Sequence, residues 1–315
     1  CSGYHYSDSI ISSFSLTHLS GTGIGDLQDI RFLPVTTCPD SSRSPRDYIA
    51  DNYAFFSHSN EEAEPGYYSV LFDNGIKTEL SVTKRCGIQY YQYPNEGSRA
   101  LTIDLTTARN WDNTVETSIR KVNNRMIEGY RKSRGWARDQ RVYFVVEFSQ
   151  DCKIMAGKNK FQPLENGQKI SGPECYLWVD FGDKTNKILA KISISSANTE
   201  GALANLEKEL SHWSFDKVKK DAKQAWKREL QKIKVEGKNE DQLAVFYTAL
   251  YHSFNAPYTF SDVNGNYKGP DGEIHSVHQH IQYTVFSLWD TYRAAHPLFT
   301  ITQKKRVRDM INSML

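Results

Sequence analysis

The stretch from Thr17 to Leu27 reads THLSGTGIGDL. Gly21, Gly23 and Gly25 alternate, with His18 before them and Asp26 after. Such a loop can cradle a phosphate on backbone N–H groups, offer a histidine and a carboxylate to a metal, or let the chain run close to a ligand. A dinucleotide loop needs a strand before it, the spacing G-x-G-x-x-G, a helix after it and an acid further on. Here the spacing is G-x-G-x-G, and the strand-like DIRFLPVT follows, interrupted by proline. The nucleotide reading fails on those points. Two readings remain: a tight loop where backbone passes close to something, flanked by His18, Thr22 and Asp26, or a plain β-turn with a structural histidine. The residues alone favour the turn.

Three other clusters carry candidate chemistry. EIHSVHQH holds His275, His278 and His280. On an extended chain His278 and His280 share a face, as two metal ligands would, but Glu273 and His275 fall on the other face. A solvent-facing histidine cluster fits better than a zinc site. GYHYSDS gathers Tyr4, His5, Tyr6 and Asp8, a set able to line a sugar pocket or simply to edge a sheet. SLWDTYR places Asp290 and Arg293 three apart, on one side of a helix if that segment is helical. Trp289 adds a flat aromatic face beside them. A Trp, an Asp and an Arg together bind a sugar by stacking and charge-assisted hydrogen bonds. A surface ion pair explains the same spacing equally well.

These clusters sit on two kinds of element. The first 200 or so residues read as short strands separated by turns: 67–72, 76–83, 88–93, 100–105, 141–148, 174–181 and 187–195. TELSVT alternates as a strand with one wet face should, and Asp73-Asn74-Gly75 signals a hairpin before it. Many short strands with regular turns predict a β-sandwich. From Thr199 to Val235 the apolar period becomes helical, through Leu203, Leu206, Leu210, Phe215, Val218, Trp226 and Leu230, with Gly237 as its stop. The lysines of KVKKDAK read as its solvated face. Another helical run begins at Asp241, then a Gly/Asn/Asp-rich loop over 255–273, then a last helical run that Pro297 is expected to break in two. This predicts a β-sandwich over 1–198, a helical linker over 199–237 and the start of a helical domain over 238–315. MINSML ends as helix without a stop signal, so the chain is expected to continue.

Composition excludes several classes. A net charge of +2 argues against nucleic acid and anionic membrane surfaces as partners. No apolar run is long enough to span a bilayer as a helix. Five widely spaced cysteines, Cys1, Cys38, Cys86, Cys152 and Cys175, make neither a metal knuckle nor a disulfide framework, though one or two bridges stay open. Aromatics at 12% suit a β-rich core and also a sugar-binding protein.

Taken in order, GYHYSDSII, FSLTHLSGTGIGDL, KTELSVTKRCGIQYYQYP, YTALYHSFNAPYTFSDVNGNYKGPDG and YTVFSLWDTYRAAHPLFTI resemble glycoside hydrolase family 92. The likeness runs along essentially the whole chain. The family's members are calcium-dependent exo-acting α-mannosidases, many from gut bacteria, acting on N-glycan or yeast-mannan mannosides. The resemblance implies a multidomain β-then-α chain: an N-terminal β-sandwich with its first strands missing here, a helical linker and the start of an (α/α)6 barrel. It implies an inverting mechanism, with one carboxylic acid protonating the leaving oxygen and a carboxylate base activating water. It implies that this stretch is part of a longer polypeptide, whose remainder holds the catalytic acid, the base and the calcium ligands. No position in 1–315 matches those motifs. What carries over is a substrate wall: Asp290, with Arg293 and Trp289, at the terminal mannose, and His5, His18, Gly21, Thr22 and Gly23 closing the pocket from the sandwich. Where many relatives have a histidine, this chain has Leu16. The substrate class implies a periplasmic or extracellular setting, with an α-mannoside glycan as partner. The competing expectation is a non-catalytic carbohydrate-binding sandwich, against which the WDTYR block speaks.

Overall fold

The computed structural model describes residues 3–18, 27–40, 42–106, 112–284 and 286–315. Two antiparallel sheets account for most of the first 195 residues. The larger has ten strands in the spatial order Ile10–Ile11, Ala54–Glu64, Tyr67–Phe72, Lys77–Val82, Cys86–Gln92, Lys187–Ser195, Gln140–Phe148, Met126–Arg134, Asn113–Asn123 and Lys169–Gly172. The smaller has five: Gln162–Pro163, Lys153–Gly157, Tyr176–Asp180, Ala100–Asp104 and Arg31–Val35. One core draws on both sheets, with Ile119, Phe144 and Ile192 from the larger and Leu101, Ile103 and Val179 from the smaller, all inaccessible to solvent. The helix Pro45–Asp51 adds Tyr48 and Ile49 to it. Ser44 caps that helix by accepting from the Asp47 N–H, and Pro45 opens it where no N–H is needed. The expected strands are therefore present, and Cys38, Cys86, Cys152 and Cys175 are all free thiols.

The predicted hairpin at Asp73-Asn74-Gly75 forms. Gly75 has φ +83°, a left-handed conformation that glycine takes without steric cost, and its N–H reaches the Phe72 carbonyl at 2.9 Å. The strand after it departs from expectation. Thr78 and Ser81, on opposite faces, are both buried, and Val82 is exposed. There is no single wet face, because the outer face of the large sheet is itself covered. Cys86, Ile88 and Val145 on that face pack against Ala202, Leu206, Leu210 and Val218.

The covering helices come from the region after Asn198. The helical period holds, but the element is two helices, Thr199–Glu209 and Phe215–Leu230. Asn198 caps the first through the Gly201 N–H, and Ser214 restarts the second through the Lys217 N–H. The second helix ends at Leu230, not at Gly237. Its lysine face is not simply solvated either. Lys219 Nζ stands 3.2 Å from the centre of the Tyr67 ring, and Lys223 pairs with Glu64 at 2.6 Å.

After helix Phe215–Leu230 come the helices Glu240–Ser253, Leu288–Thr291, Ala295–Thr302 and Lys304–Asn312, and the described residues from 254 to 287 are loop, as expected over 255–273, apart from the short hairpin Asn266–Lys268 and Ile274–Ser276. Helix Glu240–Ser253 follows the predicted run. Pro297 does not break the last run. It sits in the first turn of Ala295–Thr302, where its missing N–H costs nothing. The breaks fall at 292–294 and at Gln303. No helix among the described residues is long and apolar enough to cross a membrane.

Two polar joints bind the helical part to the sandwich. Arg85, just before strand Cys86–Gln92, donates from NH1 to Glu209 Oε1 at 2.5 Å and from Nε to the Ser261 carbonyl at 2.7 Å. The buried Asp262 accepts from Ser195 Oγ at 2.6 Å and from Asn205 Nδ2 at 2.7 Å. Gly201 gives Asp262 its room: a Cβ there would lie 2.1 Å from Asp262 Oδ2.

Candidate functional site

Gly21, Thr22 and Gly23 lie outside the described residues, but the stem that carries them is well defined. Thr17 and Asp29 close it. The Gln28 N–H donates to the Thr17 carbonyl at 3.1 Å, the Asp29 N–H to Thr17 Oγ1 at 2.7 Å, and Thr17 Oγ1 to Asp29 Oδ2 at 3.0 Å. Leu27, Gln28 and Ile30 have φ of 70°, 65° and 55°, unusual for residues with a side chain. Such backbone persists only where its surroundings over-determine it.

The Asp29 carboxylate supplies that constraint. It accepts from Arg131 NH1 at 2.5 Å and from Gln140 Nε2 at 2.8 Å. Arg131 also donates to Asp112 Oδ2 at 2.6 Å, to the Leu105 carbonyl at 2.9 Å and to Thr114 Oγ1 at 3.0 Å. Burial works against the Arg131 charge, yet the two carboxylates outweigh it and raise its pKa above the usual value. One buried guanidinium thus ties the stem of the 18–28 loop to the ends of the 106–112 segment. Sequence reading missed it, because the strand Met126–Arg134 was not among those expected. The signal was present: counting by two from buried Ile127 puts Gly129, Arg131 and Ser133 on the same inward face.

The GYHY block docks beside this loop. Gly3 has φ +97°, and a Cβ there would sit 2.8 Å from His18 Nε2. Residues 3–7 and His18 therefore meet. The Tyr4 hydroxyl donates to Glu61 Oε1 at 2.9 Å, and Tyr6 stacks on His58 with ring centres 4.2 Å apart. Glu61 also accepts from Tyr68 at 2.7 Å and meets His58 Nδ1 at 2.9 Å. Burial, with Glu61 beside it, pushes the Tyr4 hydroxyl up to about 12, so it stays a donor. Both tyrosines are spent as anchors. His5 remains exposed, bonded within its own turn to Ser7 Oγ at 2.7 Å. Leu16 is apolar packing on the core, so no polar contact arises there.

The SLWDTYR block differs from expectation. Its helix is only Leu288–Thr291, and Arg293 falls in the turn beyond it. No ion pair joins Asp290 to Arg293; Asp290 instead accepts from Ser287 Oγ at 2.6 Å. Trp289 is 85% exposed. Thr291 Oγ1 bonds His296 Nε2 at 2.9 Å and steadies the turn. The three histidines disperse. His275 meets Asp271 at 2.8 Å, His278 meets Ser276 Oγ at 3.3 Å, and His280 meets Gln282 at 3.3 Å.

Residues 1–195 match the glycosyl hydrolase family 92 N-terminal domain, and residues 201–315 match that family's catalytic domain. The chain belongs to glycosyl hydrolase family 92. It is 31% identical to a solved family GH92 α-mannosidase from Bacteroides thetaiotaomicron, which it overlays with a TM-score of 0.91. That alignment covers 99% of this chain and 43% of the other. The same enzyme has been solved with mannoimidazole, and there the TM-score is 0.89. A family GH92 inverting mannosidase from Bacteroides thetaiotaomicron VPI-5482 is 26% identical, with a TM-score of 0.83 over 98% of this chain and 41% of that one. An uncharacterized secreted glycosidase from Arthroderma benhamiae is 22% identical over 320 residues, 92% of this chain and 40% of the relative. The chain thus spans about two fifths of the length of these relatives.

The family 92 match to a catalytic domain favours a catalytic chain over a stand-alone sugar-binding sandwich. The resemblance implies a calcium ion. Among the described residues no three His, Cys, Asp or Glu side chains gather in a way that could hold a metal ion. Of the buried carboxylates, Asp29 and Asp112 pair with Arg131, Asp104 with Arg31, and Asp262 accepts from Ser195 and Asn205.

Proposed function

We propose that this chain is the N-terminal portion of an exo-acting, inverting, calcium-dependent α-mannosidase that removes terminal mannose from N-glycan or mannan mannosides in the periplasm or outside the cell. The observation that carries this reading is the 31% identity and TM-score of 0.91 to an α-mannosidase over 99% of the chain. In this reading residues 1–198 are the sandwich, 199–237 the linker and 238–315 the beginning of an (α/α)6 barrel. His5, His18 and the Gly21–Thr22–Gly23 backbone close over the terminal mannose from the sandwich side. Asp290 and Arg293 bind its hydroxyls by charge-assisted hydrogen bonds, and Trp289 offers an apolar face. The exposure of Trp289, and an Asp290 with no ion pair among the described residues, suit groups that find their partner in a ligand.

The acid, the base and the calcium belong to other parts of the polypeptide. Inversion requires two carboxyl groups about 6.5–9.5 Å apart, with a water between base and sugar. This chain's share is to bind and orient the mannose and to exclude bulk water from it. The test is NMR of the intact enzyme turning over an α-mannoside. The first-formed product is expected to be free β-mannose, and a calcium chelator is expected to stop its formation. First-formed α-mannose would reject inversion, and no release of mannose would reject the mannosidase reading.

A further inference from the structure

Leu27, Gln28 and Ile30 carry side chains at φ of 70°, 65° and 55°. Backbone of this kind is strained, and it persists where surrounding bonds impose it. Here the bonds converge on Thr17 and Asp29. Ser15 Oγ donates to the Asp29 carbonyl at 2.5 Å and accepts from the Thr17 N–H at 3.2 Å. Thr17 Oγ1 accepts from the Asp29 N–H at 2.7 Å and donates to the Asp29 carboxylate at 3.0 Å. The Gln28 N–H closes onto the Thr17 carbonyl at 3.1 Å. Thr17 is therefore fixed at its N–H, its carbonyl and its hydroxyl.

The next residue is His18. Gly3 lies against its imidazole: a Cβ at residue 3 would stand 2.8 Å from His18 Nε2 and 2.9 Å from Cδ2, so a side chain there would collide with the ring. The same point is 3.4 Å from Gln28 Nε2, so residues 3, 18 and 28 meet. Behind Thr17 the Asp29 carboxylate is oriented at both oxygens, by Arg131 NH1 on Oδ1 at 2.5 Å and by Gln140 Nε2 on Oδ2 at 2.8 Å. A buried ion pair is a poor stabiliser, since apolar residues of the same volume commonly do as well. One placed directly behind a strained stem argues for a role in geometry.

We infer that Asp29 and Thr17, held by Arg131, are positioning residues that set where the His18 imidazole stands against the substrate. The inference rests on the mannosidase reading above, in which His18 closes over the terminal mannose. Asp29 is 1% exposed and acts through its neighbours. A displacement of about 1 Å at a group that orients substrate can cost roughly a hundredfold in rate. Freeing Thr17 from Asp29 releases the chain that leads into His18, and so gives the imidazole that latitude.

The experiment is a double-mutant cycle in the intact enzyme. It measures kcat/KM on the best cleaved of the α-1,2-, α-1,3- and α-1,6-linked mannobioses. The variants are Thr17→Val, Asp29→Asn and His18→Ala, with each of the first two also combined with His18→Ala. Thr17→Val keeps the shape of the side chain and removes both of its hydroxyl bonds to Asp29. Alone, Thr17→Val and Asp29→Asn are each expected to lower kcat/KM about tenfold, and His18→Ala at least tenfold. In the His18→Ala background the further fall is expected to be less than threefold, because no imidazole is left to misplace. A general loosening of the fold acts with or without the imidazole and would not give that pattern. A full tenfold fall in both backgrounds overturns the inference, and so does an unchanged kcat/KM in Thr17→Val. If Asp29→Asn does not fold, the Thr17→Val cycle decides by itself. An unchanged kcat/KM in His18→Ala would remove His18 from the substrate wall, and this inference with it, while the released mannose would leave the mannosidase reading standing. A wild-type enzyme that cleaves none of the three would defeat both.

Discussion

Arg131 NH1 lies 2.5 Å from Asp29 Oδ1, with side chains 1% and 0% exposed, and the same nitrogen lies 2.6 Å from Asp112. This buried triad makes two loops of the sandwich depend on one strand residue. Removing the cation strands two carboxylates that are closed off from solvent. Arg131→Met is expected to cost about 3–5 kcal/mol of stability, the range for breaking a buried ion pair from one side. Urea unfolding of the intact protein measures it. A loss under about 1 kcal/mol would show that water reaches Asp29 and Asp112 after all.

Gly201 and Asp262 make a second close relation. A Cβ at 201 would meet Asp262 Oδ2 at 2.1 Å and Ser195 Oγ at 2.8 Å. Gly201→Ala is expected to destabilise by about 1–3 kcal/mol, as overpacking does, despite alanine's better helix propensity. Thermal melts decide the sign. A stabilised variant would mean that the 261–263 segment moves aside freely.

Acid should loosen the tie between helix Phe215–Leu230 and helix Lys304–Asn312. Glu229 accepts from Arg306 at 2.9 Å, from Gln303 at 2.9 Å and from Lys232. Burial alone would raise its pKa, but Lys232, Gln303 and Arg306 prevail and lower it below 4.5. A lowered folded pKa means stability that is present above pH 4.5 and is lost as pH falls through the folded value. Hydrogen exchange at 304–312 is expected to quicken across that window, and Glu229→Gln to flatten the response. Equal acid sensitivity in the variant would assign the effect to other groups.

Asp290 carries the sharpest functional prediction. It is exposed, and among the described residues its carboxylate accepts only locally, from Ser287 Oγ. Asp290→Ala in the intact enzyme should leave folding unchanged and lower kcat/KM on an α-mannoside about 10- to 100-fold, the scale of one lost charged hydrogen bond. Near-normal kcat/KM would remove Asp290 from the substrate wall.

Residues 236–315 are expected not to fold by themselves. Among the described residues their own buried cluster is small, formed by Tyr283, Phe299 and Met310, while Ser261 and Asp262 are held by Arg85, Ser195 and Asn205. A cooperative melt of the isolated piece would contradict this.

Much of this protein was determined locally. Short β-branched and aromatic runs placed seven of the strands, Asp73-Asn74-Gly75 placed a hairpin, and the three- and four-residue steps after Asn198 placed helices, because local preference and side-chain direction follow the backbone. Five ordered blocks carried the family. What tertiary structure decided lay between segments distant in sequence. Arg131 and Asp29 are 102 residues apart, and neither residue's neighbours announce the other. Lys219 reads as a wet helix position until Tyr67 is brought beneath it. SLWDTYR looked like a continuous helical turn, yet its helix stops at Thr291 and Asp290 bonds Ser287 rather than Arg293. Short motifs state which chemistry is on hand. Whether two charged groups meet depends on the path of the backbone between them, and that path is set by the burial of residues elsewhere.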